Sequence, residues 1–398
     1  MAGALDGIRV IELSHQLAGP FCAMILADHG ADVIKVEPPH GEDMRRVPPF
    51  IAGESAPYMM WNRNKRSIAL DLKAPDDLAT LLDLLASADV VLESYRPGAM
   101  ARLGLDWDSL NAKFPRLIYG SVSGFGQTGP FAGRGGFDVV AQGLSGLMSI
   151  NGPPDGPPHR LPIPLCDLTT GLYLSIGILS AIEARHRTGK GQYVETSLLE
   201  SATALQVYEA VHYFTTGTNP PRMGQAHRGI SPYQVFPTAD GYVTIGAGTQ
   251  RFFESLCELA DAPELMTDPR FVTAADRVAN NTALIDLLSE RVREHTTDWW
   301  VDTLDTAGVP CGPVLNHEQL FNHPQIVHRR MVETVQHPTA GAVKTLGIPL
   351  KLSDTPGCIR RSAPVLNADR DAILTECTAA KEAVETPGTA PCMTGNGR

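Results

Sequence analysis

The chain has 398 residues, 43% hydrophobic and 19% charged, with 33 Lys+Arg against 44 Asp+Glu and a formal charge of −11. This is length enough for two domains, and apolar content enough for buried cores. The acidic balance excludes nucleic acid as the main partner, because a phosphate backbone needs a net basic surface, but it leaves room for a local basic pocket around one phosphorylated ligand.

The chain opens on a strand–turn–helix–strand unit. Ile8–Leu13 is a β-rich run, Gln16-Leu17-Ala18-Gly19-Pro20 a turn with Pro20 suited to a first helical position, Phe21–His29 a helix closed by Gly30, and Val33–Val36 the second strand. Ser67–Leu72 predicts a strand, Asp77–Ser87 an amphipathic helix, and Val90-Val91-Leu92 and Leu117–Val122 two more strands. Continuous apolar strands alternating with helices predict an α/β fold with a parallel, doubly wound sheet. Asn151–Pro164 is Gly/Pro-rich and predicts a loop, followed by a long apolar helix from about Gly171 to Arg187. Tyr213–Gly229 predicts a linker. A segment richer in helices follows, with Tyr242–Ile245 a strand, Leu284–His295 a helix and Gly308–Val314 a loop and strand. No run of about 18 apolar residues predicts a membrane span, and Met1–Glu12 lacks the pattern of a secretory leader. Seven scattered cysteines without a CxxC pair predict reduced thiols in the cytoplasm and no structural zinc.

Chemistry-bearing patterns are sparse. The first turn holds one glycine, Gly19, where a dinucleotide fingerprint holds three, so nicotinamide cofactors are not expected; Gln16 and Ala18 would face a ligand at that crevice. Arg45, Arg46, Arg63, Lys65, Arg66, Arg96 and Arg102 cluster in the first third, either as solvated surface charges or as phosphate ligands. Asp167 stands between loop and long helix. It is either a helix cap or a carboxylate nucleophile, which the helix dipole would keep ionised. Gly246 and Gly248, ahead of Gln250, form either a plain turn or a loop that approaches a ligand or swings as a lid. No zinc-protease, nucleophile-elbow or Walker motif occurs, and the twelve histidines are not at metal-ligand spacing, so no metal is expected.

Taken together, Gln16–Pro20, Ala31–Glu37, Asn62–Ser67, Arg96–Ala99 with Leu103-Gly104, Ser121–Gly126, Gly136-Phe137-Asp138, Asp167 with Gly171, and Thr188–Gln192 resemble the class III CoA-transferases, the family of formyl-CoA and carnitine CoA-transferases. The resemblance spans most of residues 1–350. It implies a Rossmann-like large domain and a smaller α/β domain, joined by long linkers and interlocked with a second copy in a homodimer. On this chain the large CoA-binding domain falls at 1–200, a linker at 201–228, the small domain at 229–322, a return linker with the C-terminal part of the large domain at 323–384, and a disordered tail at 385–398. Asp167 matches the catalytic aspartate. Gln16, Ala18, Tyr95, Arg102 and Arg134 match the CoA-binding segments, and Gly246, Gly248 and Gln250 match the glycine loop over the active site, here poorer in glycine than in formyl-CoA transferases.

The implied activity moves CoA from an acyl-CoA donor to a small carboxylic acid through an aspartyl anhydride and an aspartyl-CoA thioester. CoA is a co-substrate, and no permanently bound cofactor is needed. The nearest alternatives are an α-methylacyl-CoA racemase and a non-catalytic CoA-binding homologue. Racemases resemble Gly-His-Asp where this chain has Gly136-Phe137-Asp138, and carry a glutamate where it has Thr249; a phenyl ring accepts no proton.

Overall fold

The computed structural model describes residues 2–385, and side chains to residue 379. All but the first residue of the expected tail at 385–398 lies outside this range. The chain divides into two compact units, one formed by Met1–Ser145, Pro162–Val207 and the described residues from His328, the other by Gly146–Leu161 and Tyr208–Val327.

The first unit is built on a six-stranded parallel sheet. Its elements are β1 (Arg9–Glu12), α1 (Ala18–Asp28), β2 (Asp32–Glu37), β3 (Lys65–Ala69), α2 (Pro75–Ala86), β4 (Val90–Glu93), β5 (Ile118–Ser123), α3 (Asp138–Leu144), α4 (Leu165–Thr188) and β6 (Tyr193–Ser197). Strand order is β3-β2-β1-β4-β5-β6. In register, Val10 stands opposite Val33 on one side and Val90 on the other. All four residues of β4 are buried, as a strand covered on both faces requires. The chain runs outward from β1 to β3, then returns to β4 on the other side of β1. Open α/β sheets bind ligands at such a reversal, outside the carboxyl ends of the two strands.

The long helix begins at Leu165 rather than at Gly171, because its N-terminus has a cap remote in sequence: Asp138 Oδ1 accepts the Cys166 N–H at 2.8 Å. By length and composition α4 could cross a membrane. Here one face, Leu174, Ile178, Ala181 and Ile182, is buried. Gly171 sets its crossing with α1: a Cβ there would stand 2.7 Å from the Ala18 carbonyl oxygen and 2.9 Å from Phe21 Cδ1, so a larger residue would push the helices apart. Strand β6, not anticipated from the sequence, closes the sheet edge.

Helix α5 (Val207–Thr216) runs into the first residues of the expected linker. In the second unit β7 (Tyr233–Pro237) and β8 (Tyr242–Gly246) precede α6 (Gln250–Leu259), α7 (Asn281–Val292), α8 (Thr297–Thr306) and β9 (Cys311–Pro313), with an antiparallel sheet in the order β9-β8-β7. Its core centres on Phe236, Phe253, Phe271 and Trp300. The Gly/Pro-rich loop belongs to this unit as far as Leu161; Arg222 ties it down by donating to the carbonyls of Pro153 and Gly156. The chain then returns to the first unit through the hairpin β10 (Val332–His337) and β11 (Gly341–Leu346), and the described residues end on α9 (Arg370–Glu385). There Glu376 accepts from Arg9 and Arg66.

Candidate active site

At the reversal point the segments after β1, β4 and β5 enclose a trough with two lobes. The first, about 500 Å³, is lined by Gln16, Glu42, Tyr95, Arg96 and Arg134 among others. The second, about 310 Å³, is lined by Gln16, Ala18, Trp61 and Asp167. His15, Gln16, Ser94, Ser123, Gly124, Gly136 and Phe137 line both, so the lobes are continuous. The His15 N–H donates to Ser94 Oγ at 2.8 Å, which ties the loop after β1 to the loop after β4. Gly124 and Gly136 touch backbone to backbone. A Cβ on Gly136 would stand 2.7 Å from the Gly124 Cα, so side chains here would pry the loop after β5 from the loop before α3.

Asp167 occupies the first turn of α4 and is partly buried. Among the described residues no hydrogen bond reaches its carboxylate. Its pKa is pushed up to about 7, first by burial and second by the charge of Asp138. Burial and Asp138 thus hold the carboxyl near neutrality, where the helix N-terminus was expected to keep it ionised. Asp138 itself is occupied: Oδ1 holds the Cys166 N–H and Oδ2 accepts from Gln142 Nε2 at 2.7 Å. It thus fixes the helix turn that carries Asp167. His15, which lies edge-on to Tyr95, is held down to about 4, chiefly by burial, then by the charge of Lys35.

Of the residues singled out in the sequence, Gln16, Tyr95 and Arg134 meet in the first lobe, and Gln16, Ala18 and Asp167 in the second. The exposed Arg134 guanidinium lies 4.4 Å from the Phe131 ring centroid. Arg102 lines neither lobe. It is exposed at the end of the short helix Ala99–Arg102, with Nη1 3.6 Å from the place a Cβ on Gly98 would take. The trough also takes in Arg96, one of the clustered arginines, and His15 and Ser94, for which no role was expected. Of the clustered arginines, Arg96 is exposed and lines the first lobe.

The basic cluster divides. Arg45 forks onto Glu37 at 2.7 Å, Arg63 onto the buried Asp28 at 2.7 Å, and Arg66 onto Asp32 at 2.6 Å. Lys65 is fully buried against Glu12 at 2.8 Å. These four are internal ion pairs, neither solvated charges nor phosphate ligands.

Gly246, Gly248 and Gln250 lie in the second unit. There the loop is tied down rather than loose: Arg277 donates to Gln250 Oε1 at 2.8 Å and to the Gly248 carbonyl at 3.4 Å, and the Gly246 N–H donates to Pro310. Thr249 caps α6, accepting the Phe252 N–H. Among the described residues no group of three or more His, Cys, Asp or Glu side chains is arranged to hold a metal ion.

The model of CoA-transferase family III matches residues 5–370. The chain is 39% identical over 374 residues to human succinyl-CoA:glutarate CoA-transferase, covering 94% of this chain and 85% of that one. It is 42% identical to acetyl-CoA:oxalate CoA-transferase of Acetobacter aceti, covering 88% and 90%, and 38% identical to succinyl-CoA:mesaconate CoA-transferase of Haloarcula hispanica, covering 94% and 96%. Among solved structures, a CAIB/BAIF family protein from Brucella suis superposes with a TM-score of 0.87 at 39% identity, covering 95% of this chain and all of that one. A trough at the sheet's reversal point, a carboxylate in its wall and full-length similarity to named transferases agree: this chain belongs to CoA-transferase family III and is an enzyme that transfers CoA between acyl-CoA thioesters and carboxylic acids.

Proposed function

We propose that Asp167 is the nucleophile of this transfer, and that the acceptor is a small dicarboxylic acid. The observation that carries the first part is a carboxylate that no hydrogen bond reaches among the described residues, at the wall of a lobe continuous with an arginine-bearing cleft. The Asp167 carboxylate attacks the donor thioester carbonyl; the C–S bond breaks and CoA leaves as thiolate, giving an aspartyl–acyl anhydride. The thiolate attacks the aspartyl carbonyl and expels the donor acid, giving an aspartyl-CoA thioester. The acceptor carboxylate attacks that carbonyl and expels thiolate, and the thiolate then takes the acceptor acyl group and frees Asp167. Each step exchanges one carboxylate or thiolate for another, so no net proton, phosphate or electron is consumed.

In this reading Arg96 and Arg134, with Tyr95, receive CoA in the first lobe, Arg102 meets a phosphate outside it, and Gln16 and Ala18 border the reacting carbonyl. The acceptor class follows from the glutarate, oxalate and mesaconate transferases that this chain resembles. The test is a mass-spectrometric screen with succinyl-CoA or acetyl-CoA as donor and a panel of mono- and dicarboxylic acids. New acyl-CoA masses with dicarboxylates are expected; transfer confined to monocarboxylates would reject the acceptor class. A chiral 2-methylacyl-CoA incubated in D₂O should gain no deuterium at the α-carbon, because the racemase base position holds Phe137, whose exposed ring cannot take a proton. Rapid incorporation would favour epimerisation chemistry.

The enzyme acts as an interlocked homodimer in this proposal. Leu172, Tyr173, Ile176 and Leu179 form an apolar stripe 41–59% exposed on the outer face of α4, beside exposed Val139, Val140 and Leu144 of α3. A second copy is the partner that would cover it. Sedimentation should give about twice the 42.8 kDa chain mass at every dilution; a reversible monomer at micromolar concentration would contradict interlocking.

A further inference from the structure

Beneath the trough lies a buried set of charges that the transfer steps do not use. Glu12, Lys35, Glu37, Glu42 and Lys65 are each at most 2% exposed, and Arg45 closes the set onto Glu37. Three carboxylates against three cations balance formally. Burying that many ions is costly even when they are paired, and such clusters are weak evidence for stability; what they supply is fixed position.

Three members grip the backbone of one turn. Lys35 Nζ donates to the Ser14 carbonyl at 3.0 Å, Glu42 Oε2 accepts the Gln16 N–H at 3.1 Å, and Lys65 Nζ donates to the Pro20 carbonyl at 2.9 Å. From outside the cluster, Trp61 Nε1 donates to the Gln16 carbonyl at 2.8 Å. The gripped turn is strained: Gln16 has φ +67°, a left-handed conformation that a side-chain-bearing residue holds only when its surroundings fix it. Glu42 is the link between cluster and turn. Its Oε1 lies 3.1 Å from Lys35 Nζ, as an ion pair off the hydrogen-bond direction, while Oε2 holds Gln16.

We propose that Glu42, backed by Lys35 and Lys65, is a positioning residue that holds the Gln16 turn against the trough and thereby sets the rate of transfer without touching the reacting atoms. The inference rests on the reading of Asp167 as nucleophile, since it is the lobe shared by Gln16 and Asp167 that the turn shapes. A turn displaced by about 1 Å can cost on the order of a hundredfold in rate; Gln16 and Glu42 also border the first lobe, so CoA affinity should shift too, but less, because Arg96 and Arg134 stay in place.

The test compares wild type, Asp167→Ala, Glu42→Gln and Asp28→Asn for kcat of succinyl-CoA-dependent transfer, Kd of free CoA and thermal midpoint. Asp28 is the control: it is equally buried and paired with Arg63, but its contacts lead to Thr345 and Leu346 rather than to the turn. Glu42→Gln should lower kcat by about tenfold or more with CoA affinity within about threefold. Asp28→Asn should lower the thermal midpoint with kcat within about twofold. A folded Glu42→Gln enzyme with kcat within about twofold of wild type overturns the proposal. If that variant does not fold, Trp61→Phe removes the outer grip on Gln16 and should reduce kcat several-fold at unchanged CoA affinity; an unchanged kcat there overturns it equally. Activity retained in Asp167→Ala would overturn the nucleophile reading instead, so the two failures are distinguishable.

Discussion

Replacing Asp167 by alanine is expected to abolish transfer, by at least about a thousandfold, while free CoA binds within about tenfold of wild type. The two effects separate because the trough separates them. Arg96, Arg134 and Tyr95 lie in the first lobe and Asp167 in the second, so truncating the aspartate removes the covalent route but no phosphate ligand. Near-wild-type turnover in the variant would reject the mechanism. The neutral isostere tests the electrostatics of the same position. The Asp167 pKa is raised from 3.8 to about 7 in the folded chain. Its protonated form is therefore the one that folding favours: that contribution is fully present below the unfolded value and is lost as pH rises through about 7. At pH 8 Asp167→Asn should thus be more stable than wild type, by about 4 kcal/mol as an upper bound, and inactive. At pH 3 the stability difference should vanish.

The second large effect is on the pH profile. A nucleophile with a pKa near 7 is ionised in about one molecule in a hundred at pH 5, so kcat/KM should fall about tenfold per pH unit below 7. Burial is the larger cause of the shift and Asp138 the smaller. Asp138→Asn should therefore move the acid limb down only part of the way towards the ordinary aspartate range. Asparagine can still accept the Cys166 N–H through its oxygen, and Gln142 can turn its amide to match, so the helix cap survives the change. The thiol of Cys166 and the imidazole of His15 also lie close to this site. Neither should produce the limb: Cys166 is pushed up to about 12 and His15 held down to about 4. An acid limb near 4 in wild type, or one unmoved in a folded Asp138→Asn enzyme, would contradict this account.

What the sequence made legible was local. Continuous apolar runs such as Val90-Val91-Leu92 announced parallel strands, and the first turn with Gln16, Ala18 and Pro20 announced the crevice. What stayed hidden depends on partners far apart in the chain. Strand β6 carries Glu195 and Thr196 within Tyr193–Ser197, too polar to stand out, and forms because β5 offers it an edge. The start of α4 depends on Asp138, and the burial that raises the Asp167 pKa has no sequence signature at all. The arginines and lysines of the first third looked alike in sequence. Only the carboxylates opposite them, Asp28 for Arg63, Asp32 for Arg66 and Glu12 for Lys65, separate internal pairs from the exposed Arg96 and Arg102.

The covalent step through Asp167 can be observed directly. The enzyme is incubated with succinyl-CoA, quenched with hydroxylamine and digested, and the peptide that carries residue 167 is sequenced by mass spectrometry. An activated aspartyl carbonyl, whether anhydride or thioester, is captured by hydroxylamine as a hydroxamate, whereas a free carboxylate is not. The account predicts a hydroxamate on the Asp167 side chain that depends on the acyl-CoA. Efficient transfer with an unmodified Asp167, or with the hydroxamate on another carboxylate, would contradict it.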